Sequence, residues 1–205
     1  TVNTPVATQP SVVVRDASGI AVVGVTVSFT ASGNGAVSTG GAFASSLNAT
    51  TDAAGAAQVT WRLGTLAGSN SLIASVSGIP AVTFSATGTA GAASQAVITA
   101  APNSPSQSGA AFTSQPAVQL RDQFGNAVLA SGVTVTASVP ANYSLVGTSS
   151  AQTGANGIAT FSNLGVSGPV GPVTITFSST GVTSATAQVS LTAGTLAAVA
   201  KAAGD

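Results

Sequence analysis

The chain has 205 residues, enough for one large domain or two ordinary ones. Only 4% of them are charged, against about 25% in a typical soluble domain, and the formal net charge is zero. Histidine, cysteine, methionine and glutamate are absent. This composition excludes the usual zinc and haem sites, His-dependent nucleophiles and any disulfide framework, so we expect no enzyme, no cofactor, and no catalytic or metal-binding residue.

The composition also limits the molecules that the chain can bind. Four basic residues give no electrostatic footprint for nucleic acid. The apolar runs are short and broken by glycine, far below the ~18 residues that span a bilayer, so no membrane insertion is expected. Because methionine is missing even at position 1, we expect an interior piece of a longer chain. The 44% of hydrophobic residues still suffices for packed cores.

The predicted elements are short strands in which every second residue is apolar. In chain order they include VTVSF (25–29), QVTW (58–61), AVTFSA (81–86) and VTITF (173–177). A period of two is typical of a half-buried strand, and no helical apolar period persists anywhere. Gly, Pro, Asn and Asp clusters separate the runs at the spacing of a sandwich, which predicts an all-β chain.

The chain also contains an internal repeat. Gln9-Pro10 followed by SVVVRDASG returns as Gln115-Pro116 followed by AVQLRDQFG, an offset of 106 residues. TDAAGAAQV (51–59) returns as TGANGIATF (153–161), an offset of 102. A unit of about 100 residues indicates tandem domains, since solenoid repeats run to about 20–50. We therefore predict one domain at 1–91, a second at 92–192, and a terminal segment at 193–205.

The alternation selects the expected core residues of each domain. Those of the first are Val25, Val27, Phe29, Val59, Trp61, Leu72, Val82 and Phe84. Those of the second are Val118, Leu120, Val133, Val135, Phe161, Val173, Ile175, Phe177, Val189 and Leu191. Phe161, with Leu164, is expected to take the core role that Trp61 has in the first domain.

Two segments of the first domain, QPSVVVRDASGIAVVGVTVSFT (9–30) and TTDAAGAAQVTWRLGTLAGSNSLIASVSG (50–78), resemble the bacterial Ig-like domain of group 1, the invasin and intimin type. The second domain resembles a related bacterial Ig-like repeat through QPAVQLRDQFGNAV (115–128) and ANGIATFSNLGVSG (155–168). The resemblance implies two tandem immunoglobulin-like β-sandwich domains of about seven strands each. It implies no chemistry, because such domains mostly act as spacers and display scaffolds.

The distinctive polar residues have two interpretations. Arg15-Asp16 and Arg121-Asp122 each precede a glycine turn, where Asp accepts backbone N–H bonds and Arg can pair with it. Asp52 is a hairpin turn residue of the same kind. The functional alternative is a calcium site, which needs six to eight oxygen ligands. The Asn48-Ala49-Thr50 and Asn142-Tyr143-Ser144 sequences match the N-glycan acceptor pattern, with a simple solvated surface as the alternative.

The two ends of the chain suggest an interface. The second domain opens with QAVITAAP (95–102), whereas only eight residues precede Gln9 in the first. GTLAAVAKAAGD (194–205) aligns with that opening strand at an offset of 102, with Val199 over Val97. Either the chain is cut from a longer array, or the terminal strand of one copy adds to the vacant edge of the next. Leu196, Val199 and Lys201 are the predicted interface residues. Lys201 is expected on an edge strand, with a crosslink to Asn as the alternative.

These observations predict a non-catalytic structural segment of an extracellular or cell-surface repeat protein, a stalk, spacer or filament unit with its domains end to end. Its expected partners are further Ig-like domains of the same chain or neighbouring copies. The alternative is an adhesin-type binding module that recognises a receptor or a glycan through loops at the sandwich ends. Recognition surfaces usually carry Trp, Tyr or Arg anchors, and the chain has one Trp, one Tyr and three Arg.

Overall fold

The computed structural model describes residues 1–194, and all regular structure in that range is β-strand. This confirms the all-β prediction. The chain divides into two compact units, Thr1–Gly91 and a second that begins at Ala92. The multiple sheets of both units are consistent with Ig-like β-sandwiches.

The first unit contains three antiparallel sheets. Its strands are β1 (Ser11–Val13), β2 (Thr26–Ala31), β3 (Ala36–Ser38), β4 (Ser46–Thr50), β5 (Ala56–Gln58), β6 (Thr60–Arg62), β7 (Gly68–Ser75) and β8 (Val82–Gly88). The largest sheet has the order β4-β2-β7-β8, and the pairs β1-β5 and β3-β6 form the other two. Val27, Phe29 and Leu72 from the large sheet pack in one core cluster with Val59 and Trp61.

The second unit repeats this plan with two additional strands. Its strands are β9 (Gln95–Ala100), β10 (Ser106–Gln107), β11 (Ala117–Arg121), β12 (Thr134–Ser138), β13 (Ser144–Val146), β14 (Ser150–Gln152), β15 (Ile158–Thr160), β16 (Gly165–Ser167), β17 (Gly171–Ser179) and β18 (Val182–Thr192). One sheet runs β14-β12-β17-β18-β9-β11-β15, with β10 beside β18, and β13-β16 stands apart.

Strand β9 explains why this sheet is continuous. It pairs antiparallel with β11 on one side and parallel with β18 on the other. Without β9, the order would fall into β14-β12-β17-β18 and β11-β15, which match β4-β2-β7-β8 and β1-β5 of the first unit. The first unit therefore has the same topology, with the place between β8 and β1 not taken by any described strand.

Burial tests the predicted cores residue by residue. In the second unit all ten predicted residues are buried except Val133, which is half-buried. In the first, Val25 and Phe84 are half-buried and the other predicted residues are buried, apart from Val82. Val82 was wrongly predicted: it is 48% exposed. It lies on β8, an edge strand of the large sheet, so its side chain lacks the cover that an adjacent strand would give.

Candidate functional site

The aspartates singled out in the sequence are turn residues. Asp16 Oδ1 accepts hydrogen bonds from the backbone N–H groups of Ser18 and Ile20, both at 2.9 Å. Asp122 repeats the arrangement with Phe124 and Asn126, again at 2.9 Å. Each carboxylate thus closes an Asx-type turn that ends in a glycine with positive φ.

Asp52 has the same role in the hairpin before β5. Its Oδ1 accepts from the N–H groups of Ala54 and Ala56 at 2.9 Å. At the corresponding turn of the second unit, Gly154 takes the place of the aspartate, and Asn156 Oδ1 accepts from Ile158 N at 3.1 Å. The backbone of the turn is therefore kept while its side-chain acceptor changes.

The arginines beside the first two aspartates stabilise the same turns through bonds to backbone carbonyl groups. Arg15 Nη1 donates to the carbonyl oxygen of Gly19 at 2.8 Å, and Arg121 Nη1 donates to that of Gly125 at 2.9 Å. Each arginine thus stabilises its turn through a hydrogen bond to the backbone. The third arginine, Arg62, lies 4.6 Å from the ring centroid of Phe43, a cation–π distance.

Two buried threonines carry an equivalent pair of bonds that the sequence did not reveal. Thr51 Oγ1 donates to the carbonyl of Val22 at 2.7 Å and accepts from Val25 N at 2.9 Å. Thr153 Oγ1 does the same with Ala130 at 2.6 Å and Val133 at 3.0 Å. The only signal in the sequence is the equivalent place of each threonine at the start of the TDAAG and TGANG repeats.

Trp61 is a core residue, 2% exposed, as predicted. Its backbone N–H donates to Gln9 Oε1 at 3.2 Å, and Leu164 N donates to Gln115 Oε1 at 2.9 Å. These bonds match Trp61 with Leu164, while Phe161 N bonds to Pro116 as Val59 N bonds to Pro10. Phe161 and Leu164 are both buried. Within residues 1–194, Trp61 Nε1 is a buried donor without a hydrogen-bond partner.

A groove of about 480 Å³ lies in the first unit beside Trp61. Its apolar walls include Val6 and Pro10, from the segment that leads into β1, and Phe84 and Ala86 from β8. The groove is thus at the position between β8 and β1 that β9 and the residues after it take in the second unit. We call it the β8–β1 groove.

Two smaller depressions are lined by hydroxyl groups. One, of about 400 Å³, includes Ser32, Ser71 and Thr87 of the first unit. The other, of about 330 Å³, includes Thr136 and Ser178 of the second. Neither contains an aromatic side chain.

The remaining predictions for sites are placed as follows. In the part of the chain that the structure describes, no three Asp, Glu, His or Cys side chains lie close enough together to hold a metal ion. No helix in that part is long and apolar enough to cross a membrane. Asn48 and Asn142, the glycan acceptor candidates, are exposed. The predicted interface residues Leu196, Val199 and Lys201 lie outside the described residues.

Neither a protein-family model nor a curated protein matches the chain. Solved structures do. InvD of Yersinia pseudotuberculosis is 25% identical with a TM-score of 0.45, over 92% of this chain and 54% of that one. FdeC, an Escherichia coli adhesin, is 17% identical with a TM-score of 0.44, over 93% of this chain and 60% of that one. Invasin, a bacterial integrin-binding protein, is 20% identical with a TM-score of 0.36, over 89% of this chain and 35% of that one.

Several glycosidases are similar over a smaller part of their length. A β-glucuronidase of Parabacteroides merdae is 17% identical with a TM-score of 0.37, over 82% of this chain and 21% of that one. The chain therefore spans between about a fifth and three fifths of these structures. Invasin, FdeC and InvD are thus among the solved structures to which this chain is similar, in agreement with the resemblance of its sequence to bacterial Ig-like domains of the invasin and intimin type.

Proposed function

We propose that this chain is a non-catalytic structural segment of an extracellular or cell-surface repeat protein, with two Ig-like sandwiches arranged end to end as a stalk, spacer or filament unit. One observation carries the proposal: the charged residues that a reactive site would need make the same structural contacts in both units. Asp16 and Asp122 close equivalent turns, and Arg15 and Arg121 donate to equivalent carbonyls. A pair of contacts made twice, each within its own turn, fits selection for a repeated scaffold rather than for one reactive site.

The composition supports the same role outside the cell. Without cysteine or methionine the chain is inert to the thiol and thioether oxidation ladder. Four Lys and Arg residues offer few cleavage points to trypsin-like proteases. The polar faces of its strands carry Ser and Thr, which hydrate the surface without charge, as β4 shows in SLNAT.

Surface display tests the proposal. The chain is placed between a bacterial outer-membrane anchor and a terminal epitope tag, and a pair of unrelated β-sandwiches of equal length is the matched control. A spacer should expose the tag to antibody as well as the control does, and better than a display protein without either segment. Adhesion of the displayed chain to host cells, absent from the control, would contradict the purely structural role.

A second candidate is a binding module for a glycan or receptor. The hydroxyl-lined depression of the first unit favours it, since Ser and Thr side chains can bond to sugar hydroxyls. Exposed apolar residues in loops, including Leu66, Leu129 and Val170, add contact surface for a protein partner. A glycan array probed with the chain tests this candidate. Binding that Thr87→Trp abolishes and Thr136→Trp in the other depression leaves unchanged would support it, and an array without signal would contradict glycan recognition.

A further inference from the structure

The edge of β1 in the first unit is less well covered than its counterpart in the second. Val12 and Val14 are half-buried, whereas the equivalent Val118 and Leu120 are fully buried. The difference follows from β9, because Ile98 and Ala96 stand directly opposite Val118 and Leu120 in the ladder. A strand in the equivalent place would cover Val12 and Val14 in the same way.

The backbone of β1 is also available for pairing on that side. Val14 N donates to the carbonyl of Gly55, so Val14 faces the β5 side. Hydrogen-bonding directions alternate along a strand, and Val13 therefore directs its N–H and C=O away from β5. Val13 is 49% exposed. Such an edge is a template for strand addition.

The second unit shows what fills this place. Beyond β9, Asn103 Oδ1 accepts from the backbone N–H groups of Thr113 and Ser114 at 2.8 and 3.2 Å. Ser104 Oγ accepts from Ser190 N at 3.0 Å, on the β18 side. The filling segment is thus a strand followed by a polar acceptor that bonds to the residues just before the Gln-Pro pair. At the offset of 106, Ala7 and Thr8 hold the positions of Thr113 and Ser114 in the first unit.

We propose that the β8–β1 groove accepts residues 195–205 of a second copy of this chain, by strand addition. At the offset of 102, Ala198 and Ala200 take the inward positions of Ala96 and Ile98. Lys201 takes the position of Thr99, which is exposed. Asp205 takes the position of Asn103, where a carboxylate oxygen accepts from the N–H groups of Ala7 and Thr8.

Side-chain sizes favour this occupant. The first unit has Phe84 at the position where the second has Ala187, as the pairing of each with the strand before it shows. The terminal segment in turn has Ala200 where β9 has Ile98. The groove lined by the larger side chain, Phe84, therefore receives the strand with the smaller side chain, Ala200, and the packed volume is conserved. At the same offset Val199 takes the position of Val97, which is half-buried opposite Gln119. The contacts opposite Val12 and Val14 are therefore made by Ala200 and Ala198.

The inference rests on the proposed structural role, and it is tested by a readout confined to the groove. Sedimentation velocity of the full chain should show head-to-tail oligomers that grow with concentration, and deletion of residues 195–205 should leave monomers. Excess peptide 194–205 should cap the oligomers and change the emission of Trp61, the only tryptophan, which lines the groove. If the chain does not form these oligomers, the proposed spacer role still stands. If the displayed chain adheres to host cells, strand addition between copies still stands.

Two matched pairs of variants locate the contact. Asp205→Ala should weaken association about tenfold or more, as loss of hydrogen bonds to a charged acceptor predicts, while Asp205→Asn keeps an acceptor oxygen and most of the affinity. Because Asp205 belongs to the donor segment, the pair leaves the acceptor fold untouched. Val13→Pro should block the edge by removing its N–H, whereas Val13→Thr retains it.

Three outcomes would overturn the inference. The full chain could remain monomeric at every concentration, or its assembly could be unchanged when residues 195–205 are deleted. Alternatively, peptide 92–103, which carries the strand that fills the second unit, could bind the groove while peptide 194–205 does not. That last result would identify the groove as an acceptor for a strand from elsewhere in a longer chain.

Discussion

Replacement of the buried Thr51 by valine tests whether the repeated threonine contacts stabilise each unit. Valine has nearly the same shape, so the change creates little cavity and isolates the hydroxyl. It removes two hydrogen bonds, of 2.7 and 2.9 Å, and leaves the carbonyl of Val22 and the N–H of Val25 without their partner. At about 1–2 kcal/mol for each, the free energy of unfolding should fall by about 2–4 kcal/mol. That is a large part of the ~5–15 kcal/mol of an ordinary domain.

Urea denaturation followed by Trp61 emission measures this loss in the first unit. The midpoint should fall while the slope stays constant, because the surface exposed on unfolding is unchanged. Thr50→Val is the matched control, because Thr50, the last residue of β4, is exposed. This substitution should change the free energy of unfolding by no more than about 0.5 kcal/mol. Equal stability of the two variants would refute the assigned role of the Thr51 hydroxyl. Thr153→Val, followed by Tyr143 fluorescence, repeats the test in the second unit.

Two further predictions concern the second unit. Phe177 is fully buried, so Phe177→Ala should cost about 3–5 kcal/mol in thermal or chemical unfolding, whereas Leu129→Ala, at a side chain 70% exposed, should cost less than about 0.5 kcal/mol; equal costs would contradict the core assignment. Gly157→Ala would place a Cβ 1.9 Å from the carbonyl oxygen of Val128 and should prevent native folding. Circular dichroism should then show loss of the native β-sheet signal. Gly181→Ala, with a similar positive φ but open space around it, should cost only about 1–2 kcal/mol, and a folded Gly157→Ala protein would show that the turn can rearrange.

The strands with strict alternation were predictable from the sequence. VTITF places Val173, Ile175 and Phe177 on one face, and all three are buried as expected. The signal is reliable there because the strand is central in its sheet, between β12 and β18. The same reasoning failed at Val82, because alternation identifies which residues share a face but not whether an adjacent strand covers that face.

Short strands and long-range polar contacts were not predictable. β3 is only three residues long and lies among glycines, yet its Val37 is fully buried. Thr51 gave no sign of its role, because its partner Val22 is distant in sequence and a buried threonine looks like the many exposed ones. The match between Trp61 and Leu164 was obscured by one additional residue in the second unit, where Asn163 adopts a positive φ of 56°.

The candidate groove depended on both kinds of information. The repeat alone showed that residues 194–205 align with the opening strand of the second unit, QAVITAAP (95–102). The structure adds the location, because β9 joins two sheets that remain separate in the first unit. It also shows which backbone edge is available, at Val13.

Small-angle X-ray scattering of the chain lacking residues 195–205 tests the structural role most directly, since strand addition cannot then lengthen the particle. An end-to-end spacer predicts a rod-like distance distribution, with a maximum dimension about twice that of one sandwich and no dependence on concentration. A compact particle, with the two sandwiches side by side and a large interface between them, would contradict the proposed function.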